Sequence, residues 1–158
     1  METRVLSVHH GSRRYGQLLR RLQDDAGGTL VALYAATARE RSVLASRFAR
    51  DLERPLQRIE LARIVSRYVR ETEKNLSRTF EAARESGAIL LFDEADALFG
   101  KRTDVKSVHD RYANLQRNRI LQRLENQPGT SVLAVTTSRC TTHVCAMIRP
   151  ASPRAPAR

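Results

Sequence analysis

The stretch AILLFDEAD, residues 88–96, limits the possible folds more than any other part of the chain. Ile89 to Phe92 contain no polar residue, and the run stops abruptly on Asp93 and Glu94. Alternating polarity marks a strand with one wet face, whereas an unbroken apolar run marks a strand covered on both faces, as in a parallel sheet. The carboxyl ends of such strands open on the site of an α/β domain. The flanking text has the matching rhythm. TLVALYA, from Thr29, is a second buried strand, bounded by Gly27-Gly28. From Ser42 to Leu52, Ala45, Phe48, Ala49 and Leu52 fall on one helical face, which Pro55 ends. PLQRIEL reads as a short strand, and ETEKNLSRTFEAARES places Leu76, Thr79, Phe80 and Ala83 on a helical stripe that Gly87 stops. In DRYANLQRNRILQRLEN, Ala113, Ile120, Leu121 and Leu124 share a face, Pro128-Gly129 turns the chain, and SVLAVTT is a further strand. Strands alternating with helices predict an α/β domain, a parallel sheet between two helical layers.

At 158 residues the chain suits one domain with a real core. We expect residues 1–28 to be a leader, 29–139 the core domain, and 140–158 a disordered basic tail. That last segment holds three of the five prolines and no acid. No apolar run reaches the ~20 residues a membrane span needs, and no signal peptide is visible, so the cytoplasm is the expected compartment. Cys140 and Cys145 are too few for a disulfide framework or a four-ligand zinc site and are read as free thiols. The net charge of +11 comes from 25 Arg and 3 Lys spread along the whole chain. A basic nucleic-acid-binding module is one reading of that charge. The absence of a dense basic run or interleaved aromatics disfavours it.

Two carboxylates at the end of a buried strand suit phosphoryl transfer: one holds magnesium through water, and the other polarises an attacking water. A strand that merely ends in a polar turn has the same local text. The wider context is more specific. DEADALFGKR, the upstream SRYVRETEKNLSRTFEAARESGA and the downstream HDRYANLQRNRILQRLEN together resemble the AAA+ ATPases, near the clade of unfolding and microtubule-severing machines. The resemblance spans about residues 29 to 139 and is most specific over 66 to 125. It implies a P-loop NTPase-like, three-layer α/β/α fold, ATP and Mg2+ as cofactors, and ATP hydrolysis that drives protein remodelling in a ring. Asp93 would then coordinate magnesium together with Ser42, Glu94 would activate water, and Tyr68 would be the pore-loop aromatic that grips a client. Packing of Tyr68 against the sheet is the alternative. Arg70 replaces a family glycine in that loop, which removes a permissive hinge.

The resemblance also exposes departures. The phosphate loop should read G-x-x-x-x-G-K-[ST], with glycines that let backbone N–H groups surround phosphates. Residues 35–42 are Ala35-Ala36-Thr37-Ala38-Arg39-Glu40-Arg41-Ser42, with the helix expected to start near Ser42. Within this nucleotide-binding set, which includes Ala38, only Ser42 keeps the pattern. Ala35 and Glu40 stand at the glycine positions, and Arg41 replaces the lysine with a bulkier fork. Glu40 would repel phosphate by roughly 3 kcal/mol at ~5 Å and an effective dielectric near 20, about two decades of affinity. Ser138 takes the place of the sensor asparagine that orients the lytic water. Past Arg139 the family's fifth strand and lid are expected to be missing, as in a truncated or frame-shifted reading of a longer gene. Arg139, Arg149 and Arg154 are arginine-finger candidates by residue type alone. The sequence therefore predicts an AAA+ ATPase domain with impaired nucleotide chemistry, acting on a protein client or with homologous AAA+ subunits. The alternative is a noncatalytic pseudo-ATPase interaction subunit.

Overall fold

A computed structural model describes residues 6–24, 28–99, 108–136 and 146–151. In chain order the elements are β1 (Leu6–His9), α1 (Arg13–Asp24), β2 (Gly28–Tyr34), α2 (Ala38–Asp51), β3 (Leu56–Glu60), α3 (Leu61–Ile64), α4 (Val69–Ser86), β4 (Ile89–Asp93), α5 (Asp96–Phe99), α6 (Val108–Asn126), β5 (Gly129–Val135) and β6 (Ala146–Arg149). The strands form one six-stranded sheet in the order β1-β6-β2-β5-β4-β3, and every neighbouring pair is parallel. This is the α/β, three-layer, P-loop NTPase-like class expected from the sequence.

Burial explains the layers. Alternate residues of each inner strand point to opposite faces. On one face Leu30, Ala32, Leu90, Phe92, Leu133 and Val135 pack under α3, α4 and α6 through Leu61, Ile64, Leu76, Ala83, Ile120, Leu121 and Leu124. On the other, Val31, Leu33, Ile89, Leu91, Val132 and Ala134 pack under α1 and α2 through Leu18, Leu22, Leu44, Phe48 and Leu52. All four apolar residues of β4 are at most 1% exposed, so the run in AILLFDEAD reflects burial on both faces. Gly87 ends α4 in a left-handed conformation (φ 68°), which a residue without Cβ adopts at no steric cost.

Four expectations change. The segment expected to be a leader is part of the sheet: β1 forms one edge, and α1 buries Tyr15, Leu18 and Leu22 against it. The strand expected to be missing after SVLAVTT is present, as β6, paired with β1 on one side and β2 on the other. The tail is accordingly ordered at residues 146–149. Ala146, Met147 and Ile148 are 1%, 3% and 0% exposed, and a buried triplet this short is hidden by the prolines and arginines around it. Finally, α2 begins at Ala38, four residues before Ser42, because Thr37 and Glu40 cap it.

Candidate functional site

Three strand ends, those of β2, β5 and β4, lie side by side at the carboxyl edge of the sheet, and the residues of interest sit on the connections leaving them. After Tyr34 the chain takes three residues to reach α2. Ala35 is buried. Its N–H donates to the Val135 carbonyl at 3.3 Å, and its own carbonyl accepts from Arg41 Nη1 at 3.2 Å. Arg41 is thus folded back beneath the connection, and its Nε is buried without a hydrogen-bond partner. Such an orphaned donor costs roughly 1–3 kcal/mol.

Thr37 is the N-cap of α2. Its hydroxyl accepts from the Glu40 N–H at 3.2 Å, while Glu40 Oε2 accepts from the Thr37 N–H at 3.2 Å and from the Thr37 hydroxyl at 3.0 Å. This is a reciprocal capping box. The first free N–H groups of a helix and the positive end of its dipole are what attract phosphate. Here the chain's own carboxylate stands beside that end, on the Thr37 N–H and hydroxyl, and Thr37 takes the Glu40 N–H. The sequence signal was available as T-x-x-E, residues 37–40, ahead of an apolar helical face. Ala38 and Arg39 are exposed in the first turn. An apolar cavity of about 230 Å³ opens beside this turn, lined by Arg39, Glu40, Val43, Leu44, Arg47 and Pro150.

Ser42 and Asp93 are brought to one corner, with an arginine between them. Arg58, on β3, donates through Nη2 to Ser42 Oγ, and its Nη1 lies 4.0 Å from Asp93 Oδ2. Asp93 Oδ1 accepts from the Glu94 N–H at 3.0 Å. Glu94 itself is exposed and has φ 54°, a left-handed backbone that costs a non-glycine residue about 1 kcal/mol or more and that recurs at functional sites. Its carboxylate has no partner among the described residues. Ala95 donates to the Ala134 carbonyl at 3.0 Å, and the Asp96 carboxylate accepts from the Thr136 N–H and hydroxyl at 2.9–3.0 Å. After Asp93, the two further acids of DEAD therefore split into an exposed Glu94 and an Asp96 that closes the end of β5.

Tyr68 is the N-cap residue of α4 and is 59% exposed, which excludes packing against the sheet. With Arg70 in place of glycine, α4 starts directly at Val69. The base of this turn is held by Gln116 of α6, whose Nε2 donates to the Ser66 carbonyl at 2.7 Å and to Thr72 Oγ1 at 2.9 Å. Arg149 is no solvated finger candidate: Nε donates to Ser7 Oγ at 2.8 Å and the guanidinium lies 4.7 Å from the Tyr34 ring centroid. Ser138, Arg139, Arg154, Cys140 and Cys145 lie outside the described residues. Arg58 was not foreseen from the sequence.

The donors present do not fit a bound Mg2+-ATP in this arrangement. The phosphate end of α2 is occupied by Glu40, and the hydroxyl–carboxylate pair for a metal is spanned by a guanidinium. Among the described residues no group of three His, Cys, Asp or Glu side chains converges on a metal position.

The parallel sheet, with its connection from β2 into α2 and its acids at the end of β4, defines the class. The chain belongs to the family described as ATPase family associated with various cellular activities (AAA), whose sequence model matches residues 16–152. It is also similar to the uncharacterized AAA family ATPase y4kL of Sinorhizobium fredii (strain NBRC 101917 / NGR234), with 44% identity over 64 residues. That match covers 40% of this chain and 19% of the relative, so the chain spans a small part of the relative's length. AAA-family ATPases generally bind ATP with Mg2+ and commonly assemble as rings. Among the described residues no helix is long and apolar enough to cross a membrane.

Proposed function

We propose that this AAA-family domain works as a noncatalytic, protein-contacting unit in a ring-type remodelling assembly, and that it neither binds ATP tightly nor hydrolyses it. The observation that carries the reading is the Thr37–Glu40 capping box, which places a carboxylate at the start of α2 where a nucleotide would need backbone donors. The buried Arg41, turned onto Ala35, supports it, because the charge at the lysine position serves the loop. The exposed Tyr68, braced through Gln116 and Thr72, is the side chain suited to touch a protein client. In this reading the helical faces inherited from the family contact homologous AAA+ subunits.

A residual hydrolase is the second reading, favoured by the exposed, conformationally strained Glu94 next to Asp93. Calorimetric titration of the full chain with ATP and Mg2+ separates the two. We expect no heat of binding from the native chain and a measurable affinity in the Glu40→Gly/Arg41→Lys variant, which restores two family positions of the loop. A native Kd below about 0.1 mM, near −5.5 kcal/mol, overturns the noncatalytic reading. An ATPase rate abolished by Glu94→Gln overturns it as well.

A further inference from the structure

We propose that Arg58 is a built-in substitute for the divalent cation: its guanidinium joins Ser42 to Asp93 and excludes metal from the corner between α2, β3 and β4. This deepens the noncatalytic reading and rests on it, with Ser42 and Asp93 taken as the pair that a metal would need.

The geometry is that of a fork used at two points. One terminal nitrogen donates to the Ser42 hydroxyl and the other faces the Asp93 carboxylate at 4.0 Å. A planar guanidinium can hydrogen-bond one oxygen and hold a second at ion-pair distance, as Arg58 does here. Stability alone gives little reason for the bridge, because the Arg58 and Asp93 side chains are 46% and 35% exposed and such pairs contribute little. Nor does the neighbouring acid offer a second carboxylate to a metal at Asp93. Glu60 pairs with Asp93 in the β3–β4 register, but its carboxylate is engaged with Arg63 Nε at 2.8 Å. Magnesium or manganese demands an octahedral set of oxygens. Arg58 supplies no oxygen, fills the gap and carries like charge. Unlike a metal, this cation cannot arrive with a nucleotide or leave with a product. The corner would therefore hold one arrangement whether or not nucleotide and metal are present in solution.

Manganese alone, added to the full chain and counted by loss of the free-ion electron paramagnetic resonance signal, tests this. The native chain and Arg58→Lys, which keeps a cation, are expected to take up no ion below about 1 mM, and Arg58→Gln to bind at least about tenfold more tightly. Adding Asp93→Asn to Arg58→Gln should abolish the gain. A cooperative thermal transition in each variant shows that it is folded. Uptake by the native chain equal to that of Arg58→Gln overturns the proposal, as does a gain in Arg58→Gln that persists when Asp93→Asn is added. Failure of the noncatalytic reading would instead appear as ATP binding by the native chain, in a separate titration.

Discussion

Tyr15 shows how a single residue can set the alkaline limit of the fold. Its ring is buried between His10 and Phe48, with centroids at 4.7 and 6.5 Å, and its hydroxyl donates to Asp51 Oδ2 at 2.7 Å. Burial first, then the hydrogen bond and the charge of Asp51, push the phenol well above its ordinary range. Below about pH 10 the hydroxyl is protonated in both folded and unfolded chains, so its contribution is fully present. Above that, the unfolded chain ionises while the folded one resists, and stability falls as pH rises. Urea midpoints between pH 8 and 11 should show this decline, and Tyr15→Phe should flatten it while costing about 1 kcal/mol at neutral pH. Legibility at this scale depends on sequence distance. Thr37 and Glu40 are three residues apart, and their pairing is written in a local motif. Arg58 meets Ser42 across 16 residues and Asp93 across a strand pairing, so only the register of β3 on β4 reveals the bridge. Glu40 is legible both as a charge and, through Thr37, as a cap, and the same carboxylate would serve either to repel phosphate or to start the helix.

Among the elements, β6 is the one whose importance composition conceals. Ile148 is fully buried and lies in the core beneath α1 and α2. Ile148→Ala should cost about 2–5 kcal/mol by denaturant unfolding, whereas Val43→Ala, at a residue 44% exposed, should stay within about 0.5 kcal/mol. A disordered tail would give no effect at Ile148. The inner elements were readable because two-sided burial leaves an unbroken apolar run in a strand, and one-sided burial leaves a periodic stripe on a helix. Ile89 to Phe92 announce a central strand, and Leu76, Phe80 and Ala83 announce the inner face of α4. Short elements carry too little pattern for that. The four residues of β1 and of β6, and the single turns of α3 and α5, owe their conformation to the neighbours they pair with. Helix starts shifted by a few residues for a related reason, since caps and not apolar faces set them.

At the scale of the whole molecule the net charge of +11 opposes compaction. Raising the ionic strength from about 0.01 M to about 0.1 M shortens the screening length from about 30 Å to about 10 Å, so the thermal midpoint should rise over that interval. A midpoint that falls with added salt would mean that attractive ion pairs outweigh the repulsion. Connectivity has a further effect. Among the described residues the edge strand β1 pairs with β6 alone, and His9 Nδ1 meets the Pro150 carbonyl 3.0 Å away across 141 positions of sequence. During synthesis on the ribosome, β1 must therefore wait, with α1, until residues 146–149 have been made. Until residue 149 clears the exit tunnel, the apolar margin of β2 has no lateral cover, and a chaperone has its longest opportunity to intervene.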